Sequence, residues 1–217
     1  DLEVRFAAAL LVGMWSRFGV ARSTRPRGAK VPAQAWATDG TQSWSAADLR
    51  APCSRIPLND GKRMPVMGLG TAMPPQQTRA AVRSALDLGY RFIDTAQNYL
   101  NEAEVGEGVR DFLQATGTSR DDVFVSSKLH PDAHGFRAAL AAGRASCEAL
   151  GLGHVDRLLL HTPHSGRLVE AYDALLELQT QGIVHSVGVS NFDIVHLDAL
   201  EYYDRPPPVV NQIEMHP

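Results

Sequence analysis

Phe92-Ile93-Asp94-Thr95-Ala96-Gln97-Asn98-Tyr99 is the stretch whose reading decides the fold. It opens as an apolar strand, Arg91-Phe92-Ile93, and runs into the carboxylate of Asp94. A short polar turn then delivers Tyr99 to the start of a helical pattern. Site residues in parallel α/β folds sit beyond the carboxyl ends of strands, because the loops there converge on one face. Other strands should therefore end in chemically pointed residues, and two do: Val123-Phe124-Val125-Ser126-Ser127-Lys128 and Val155-Asp156-Arg157-Leu158-Leu159-Leu160-His161. Asp94, Tyr99, Lys128 and His161 form the candidate site.

Working outward, the chain alternates. Ile56-Pro57-Leu58 and Met64-Pro65-Val66 flank Asn59-Asp60-Gly61-Lys62, and Asp-Gly there predicts a hairpin turn. Strands are expected at 66–70, 91–94, 122–128, 155–161, 183–190 and 209–214. Helical periodicity covers 77–88, 102–113, 136–150, 167–179 and 194–202. The strand runs are continuously apolar, as parallel strands covered on both faces should be.

Six strands alternating with five helices make βα units on a parallel sheet. The alternatives are an open doubly wound sheet and a (β/α)₈ TIM barrel. Open nucleotide-binding sheets carry a glycine-rich loop after the first strand. Here Gly68-Leu69-Gly70-Thr71 is not G-x-G-x-x-G, and Pro74-Pro75 follows where a helix N-terminus should cradle phosphate. A barrel also accounts for polar residues at the ends of nearly every strand. A whole barrel needs about 250 residues, so the expectation is a partial one of about six βα units, lacking the last two and exposing strand edges at 66–70 and 209–214.

Residues 1–54 read as a leader and linker, disordered or targeting, and 55–217 as the incomplete barrel. Up to residue 55 the chain carries eight Lys or Arg against four acids, leaving thirteen basic and twenty acidic residues for the body. An acidic body without a basic stripe argues against nucleic acid as a partner. No apolar run reaches the length of a membrane span. The expected location is the cytoplasm, or an organelle if the basic, acid-poor start is a transit peptide. Cys53 and Cys147 make no disulfide framework and have no metal-type spacing, and Cys147 reads as a small buried thiol.

The four candidates make one device. Tyrosine is a weak acid, with an ordinary pKa of about 10. A nearby ammonium should stabilise the phenolate and lower that value. Asp94 can pair with Lys128, and His161 can donate to a carbonyl oxygen. Together they protonate an oxygen that gains charge as hydride reaches carbon, and a cofactor must bring the hydride. Taken singly each residue has a plainer role: a strand-end lysine, a turn carboxylate, a packing tyrosine, a core histidine. Their placement after successive strands favours the joint reading. A metal-dependent barrel hydrolase would need more His or carboxylate ligands at these strand ends than His161 and Asp94 supply.

From 55 to 217 the chain resembles the aldo-keto reductases. The resemblance rests on Gly68-Leu69-Gly70-Thr71, on Gly89-Tyr90-Arg91-Phe92-Ile93-Asp94-Thr95-Ala96 with Tyr99, and on Ser127-Lys128-Leu129 and Leu160-His161. Further along it rests on Gly188-Val189-Ser190-Asn191-Phe192 and Asn211-Gln212-Ile213-Glu214-Met215-His216-Pro217. It implies a (β/α)₈ barrel that reduces aldehydes and ketones with NADPH. Tyr99 is then the general acid, Lys128 and Asp94 its tuning pair, and His161 the carbonyl orienter. Ser190, Asn191 and Gln212 would bond the nicotinamide carboxamide, and Thr71 and Asp94 would line the cofactor cleft. The other reading is a non-catalytic binding protein on the same fold. The family's usual Trp positions after His161 and Lys128 hold Thr162 and His130, which alters the aromatic wall of the substrate pocket.

Overall fold

The computed structural model describes residues 54–215. The leader, the linker and Cys53 lie outside them. The chain first makes a hairpin, β1 (Arg55–Pro57) against β2 (Arg63–Pro65), antiparallel with Ile56 opposite Met64. Gly61 closes the turn at φ +82°, a conformation that glycine reaches without a Cβ penalty.

Six parallel strands follow: β3 (Leu69–Gly70), β4 (Phe92–Asp94), β5 (Phe124–Leu129), β6 (Val155–Leu160), β7 (Val184–Ser190) and β8 (Asn211–Gln212). They pair in sequence order, with β3 and β8 at the edges. Between them run α1 (Pro75–Asp87), α2 (Glu102–Thr116), α3 (Phe136–Leu150), α4 (Leu168–Thr180) and α5 (Ile194–Tyr202). This is the expected partial (β/α)₈ barrel. The first and last strands are shorter than the 66–70 and 209–214 expected. Backbone pairing nevertheless reaches past β8, since Val209 N donates to Val187 O at 2.9 Å and Val189 N to Val210 O at 3.0 Å.

The alternation of strand residues produces two cores. Outward-facing residues of the sheet and the inner faces of the helices form the larger one, including Ile93, Val125, Leu158, Leu160, Val187 and Val189. Inward-facing residues form a smaller cluster of Leu58, Met64, Phe92, Phe124, Leu159 and Val210. Met64 of the hairpin is fully buried there. Period-two burial on both faces is why the strands read as continuous apolar runs.

Two glycines in α2 set how closely the helices approach. A Cβ on Gly106 would lie 1.8 Å from the carbonyl oxygen of Leu150, and one on Gly108 would lie 2.8 Å from that of Arg79. Both obstructions are backbone, which cannot rotate aside. Gly106→Ala is therefore expected to destabilise the chain by about 2 kcal/mol or more, despite alanine's better helix propensity. Urea denaturation followed by circular dichroism measures it, and an unchanged midpoint would show that α2 and α3 can separate freely.

Candidate active site

Strand register brings the carboxyl ends of β4, β5 and β6 side by side: Asp94 lies opposite Ser126, and Lys128 opposite Leu159. Asp94 and Lys128 are each 2% exposed, and Lys128 Nζ donates to Asp94 Oδ2. A second Nζ hydrogen bond goes to Thr95 O at 3.0 Å. Burial pulls the lysine below its ordinary range, against the opposing pull of Asp94.

Tyr99 sits at the end of a single 3₁₀ turn, Gln97–Tyr99. That turn is held by Gln97, whose Nε2 donates to Ala142 O and Ser146 Oγ, both at 2.9 Å, and whose Oε1 accepts the His130 amide. The ring of Tyr99 has Lys128 Nζ 5.4 Å from its centroid and the His161 ring edge-on at 6.1 Å. All four expected residues thus meet in one place.

One electrostatic expectation is corrected. The tyrosine was expected to be made more acidic by Lys128, but its pKa is raised, first by burial and second by the Asp94 carboxylate. The ammonium stands off the ring rather than bonding the hydroxyl, and its charge is already matched by Asp94. The phenol therefore stays protonated through neutral pH.

His161 is driven the other way, to about 4, by burial first and then by the Lys128 ammonium. It is consequently a neutral imidazole at physiological pH. Asn191 Nδ2 donates to its backbone carbonyl at 3.0 Å and to Ser190 Oγ at 3.1 Å. Ser190 Oγ in turn donates to Gln212 O at 2.8 Å, and Gln212 Nε2 to Asp94 Oδ2 at 3.2 Å. Asn191 adopts the left-handed conformation at φ +59° and is exposed at the rim. Thr71 lies behind Asp94, fully buried, with its amide and hydroxyl both donating to the Asp94 carbonyl.

Residues not singled out in the sequence complete the site. Arg157 runs through the barrel interior, 1% exposed, its guanidinium 5.1 Å from the Phe92 ring centroid and 5.8 Å from that of Phe124. It donates to Ser126 Oγ at 3.1 Å and Gln212 Oε1 at 3.4 Å, and approaches Asp94 Oδ1 at 3.6 Å. Burial lowers even this guanidinium, to about 10. Its signal in the sequence is the pair of adjacent charges, Asp156 and Arg157, inside an otherwise apolar strand. Asn101 is fully buried ahead of α2. Its Nδ2 donates to Thr71 O at 2.7 Å, Met73 O at 3.1 Å and Thr78 Oγ1 at 3.2 Å, while Oδ1 accepts from Thr95 Oγ1 at 2.8 Å. In sequence it resembles a helix cap, but it makes no capping bond. Tyr172 is buried and donates to Pro206 O at 3.1 Å. Cys147 is only half-buried.

The Aldo/keto reductase family model matches residues 64–217. An aldo-keto reductase of Mycolicibacterium smegmatis is 42% identical over 166 residues, covering 75% of this chain and 59% of the relative. The oxidoreductase YtbE of Bacillus subtilis is 40% identical over 166 residues, covering 76% and 59%. Among solved structures, an aldo/keto reductase from Brucella melitensis superposes with a TM-score of 0.71 at 36% identity, covering 75% of this chain and 63% of that one. A Bombyx mori aldo-keto reductase in complex with NADP gives 0.70 at 32%, covering 76% and 58%. The chain belongs to the aldo-keto reductase family of oxidoreductases. It spans just under three-fifths of the length of these curated relatives. No helix among the described residues is long and apolar enough to cross a membrane.

Two measurements probe the buried charges. Arg157→Met removes the cation facing Asp94 Oδ1, an oxygen already without a hydrogen bond, leaves Lys128 alone to balance the carboxylate, and should cost about 3 kcal/mol in urea denaturation. A cost near zero would show the arginine to be an incidental passenger of the core. For His161 the folded value lies below the ordinary 6.5, so the unfolded chain takes the proton first. Stability should fall as pH drops from about 6.5 toward 4. His161→Gln should flatten that part of the pH profile, and an unaltered profile would place the ring in an ordinary solvated setting.

Proposed function

We propose that this chain carries the carbonyl-reducing half of an NADPH-dependent aldo-keto reductase, with Tyr99 as the general acid. The observation that carries the reading is the packing of the Tyr99 ring against both Lys128 Nζ and the neutral His161 ring. The substrate class is a small aldehyde or ketone.

The residues on the rim suit the carboxamide of a nicotinamide. Asn191 spends both its described side-chain hydrogen bonds through Nδ2, leaving Oδ1 as an acceptor at an exposed position. Ser190 and Gln212 are bonded to each other and back to Asp94, so the amide-facing groups are positioned by the buried charge. Thr71 acts from behind, by fixing the Asp94 backbone. When bound, NADPH supplies the hydride; the chain's own residues handle the oxygen.

His161, neutral, donates an N–H to the carbonyl oxygen and orients it. As negative charge grows on that oxygen, the Tyr99 hydroxyl donates its proton. The raised phenol pKa does not obstruct this step, because an alkoxide is a far stronger base than a phenolate, and transfer remains downhill. Lys128 lowers the cost of the resulting phenolate through its charge, at 5.4 Å from the ring centroid. Asp94 and Arg157 hold Lys128 and Gln212 in place.

Tyr99→Phe should lower the rate of aldehyde-dependent NADPH oxidation, followed by absorbance, by about a hundredfold or more while leaving the circular dichroism spectrum unchanged. NADH assayed in parallel tests the coenzyme preference. Undiminished turnover in the variant would remove Tyr99 from the acid role. NADPH binding without turnover by the unsubstituted chain would replace the enzyme reading with the binding-protein one.

A further inference from the structure

A second cluster of chemically pointed side chains lies at the opposite end of the sheet from Tyr99. His154 immediately precedes β6, Asp156 is the second residue of β6, and His185 is the second residue of β7. Val155 pairs with Val184, which brings the three to the same level. Asp156 is five residues before His161 on a parallel strand, about 16 Å of separation, so this cluster and the candidate active site are separate places.

We propose that His154, Asp156 and His185 form a binding site for a transition-metal dication of the zinc class. Their ligand atoms all lie within 4.8 Å of one another. His154 Nε2 stands 3.6 Å from Asp156 Oδ1, close to the edge of a tetrahedral coordination shell. That same Nε2 is buried without a hydrogen bond, the Asp156 carboxylate standing just beyond bonding distance. Two imidazoles and one carboxylate select zinc-like ions over calcium or magnesium, which prefer all-oxygen shells. Water would complete the set.

The surroundings support ligand duty for Asp156. Its Oδ2 accepts from Arg120 at 2.7 Å and from the Val125 amide at 2.8 Å. Those bonds fix the carboxylate and turn Oδ1 toward His154, as outer-shell partners do at metal sites. The Arg120 charge opposes a dication, which sets the expected affinity in the micromolar range rather than tighter.

The two rings stack face to face, 4.0 Å apart and 19° from parallel. Parallel rings direct their lone pairs side by side, so they cannot converge on one ion. Binding therefore requires one ring to leave the stack. His185 is the freer of the two: its backbone carbonyl is anchored by Lys62 at 2.5 Å and Gln179 at 2.8 Å, while its ring has no described hydrogen bond.

The test titrates Zn²⁺ into the whole chain, stripped with chelator, by isothermal calorimetry, and Co²⁺ by visible absorption. One Zn²⁺ per chain is expected, with the intense visible band of a four-coordinate cobalt site. His185→Gln, at a partly exposed position, and His154→Gln should each weaken binding by about a hundredfold, with folding checked by circular dichroism. The His185 variant decides the matter if the His154 variant unfolds. No saturable binding at millimolar Zn²⁺, or affinity unchanged in His185→Gln, overturns the proposal and leaves the histidines as a stacked structural pair.

Discussion

A carboxylate with almost no contact with water is the constraint from which the rest of the upper face follows. Asp94 cannot be buried as an isolated ion, because the loss of hydration would far exceed what packing returns. The chain meets that demand with two cations on neighbouring strands, Lys128 from β5 and Arg157 from β6, one at each carboxylate oxygen. Each cation then needs acceptors of its own. Lys128 takes the Thr95 carbonyl, and Arg157 takes Ser126 and Gln212. Through Gln212 the same charge reaches β8 and Ser190. One buried ion therefore links β4 to β8 across the mouth of the sheet.

Fixing the charges this way also divides the protonation states. Tyr99 is biased toward its proton-bearing form, and His161 toward its neutral one. Both biases come first from burial, with Asp94 and Lys128 respectively adding to them. A neutral donor beside a protonated phenol is the combination that the proposed carbonyl reduction asks for, and neither state depends on an acidity shift imposed directly by lysine on the hydroxyl.

Much of this was legible in the sequence because periodicity carries it. Continuous apolar runs with polar ends gave the parallel strands, and the residues just past those runs gave Asp94, Tyr99, Lys128 and His161. What escaped was anything whose meaning depends on which way a side chain turns. Arg157 lies mid-strand, where only the pleat decides whether it enters the barrel interior or meets a helix. Asn101 looks like a cap by position, yet its amide turns inward. The sign of the Tyr99 shift was unreadable for a related reason: it depends on how deeply the ring is sheltered and on the distance to Lys128, neither of which spacing encodes. Strand ends were the other weak point, since β3 and β8 narrow to two regular residues at the margins of the sheet.

The Asn101 amide has a wider implication. By bonding to Thr71, Met73 and Thr78, it anchors the turn that bears Tyr99 to the loop after β3 and the first turn of α1. The loops after β5 and β6 touch where His134 Nδ1 meets Ser165 Oγ, and the first of them is also tied to the Tyr99 turn through the His130 amide. The turn that bears Tyr99 is thus braced on two sides, by the scaffold through Asn101 and by the loop after β5 through Gln97. A change in the loop after β5 is therefore felt at Tyr99 itself, so the loop and the ring beside it are not free to drift apart.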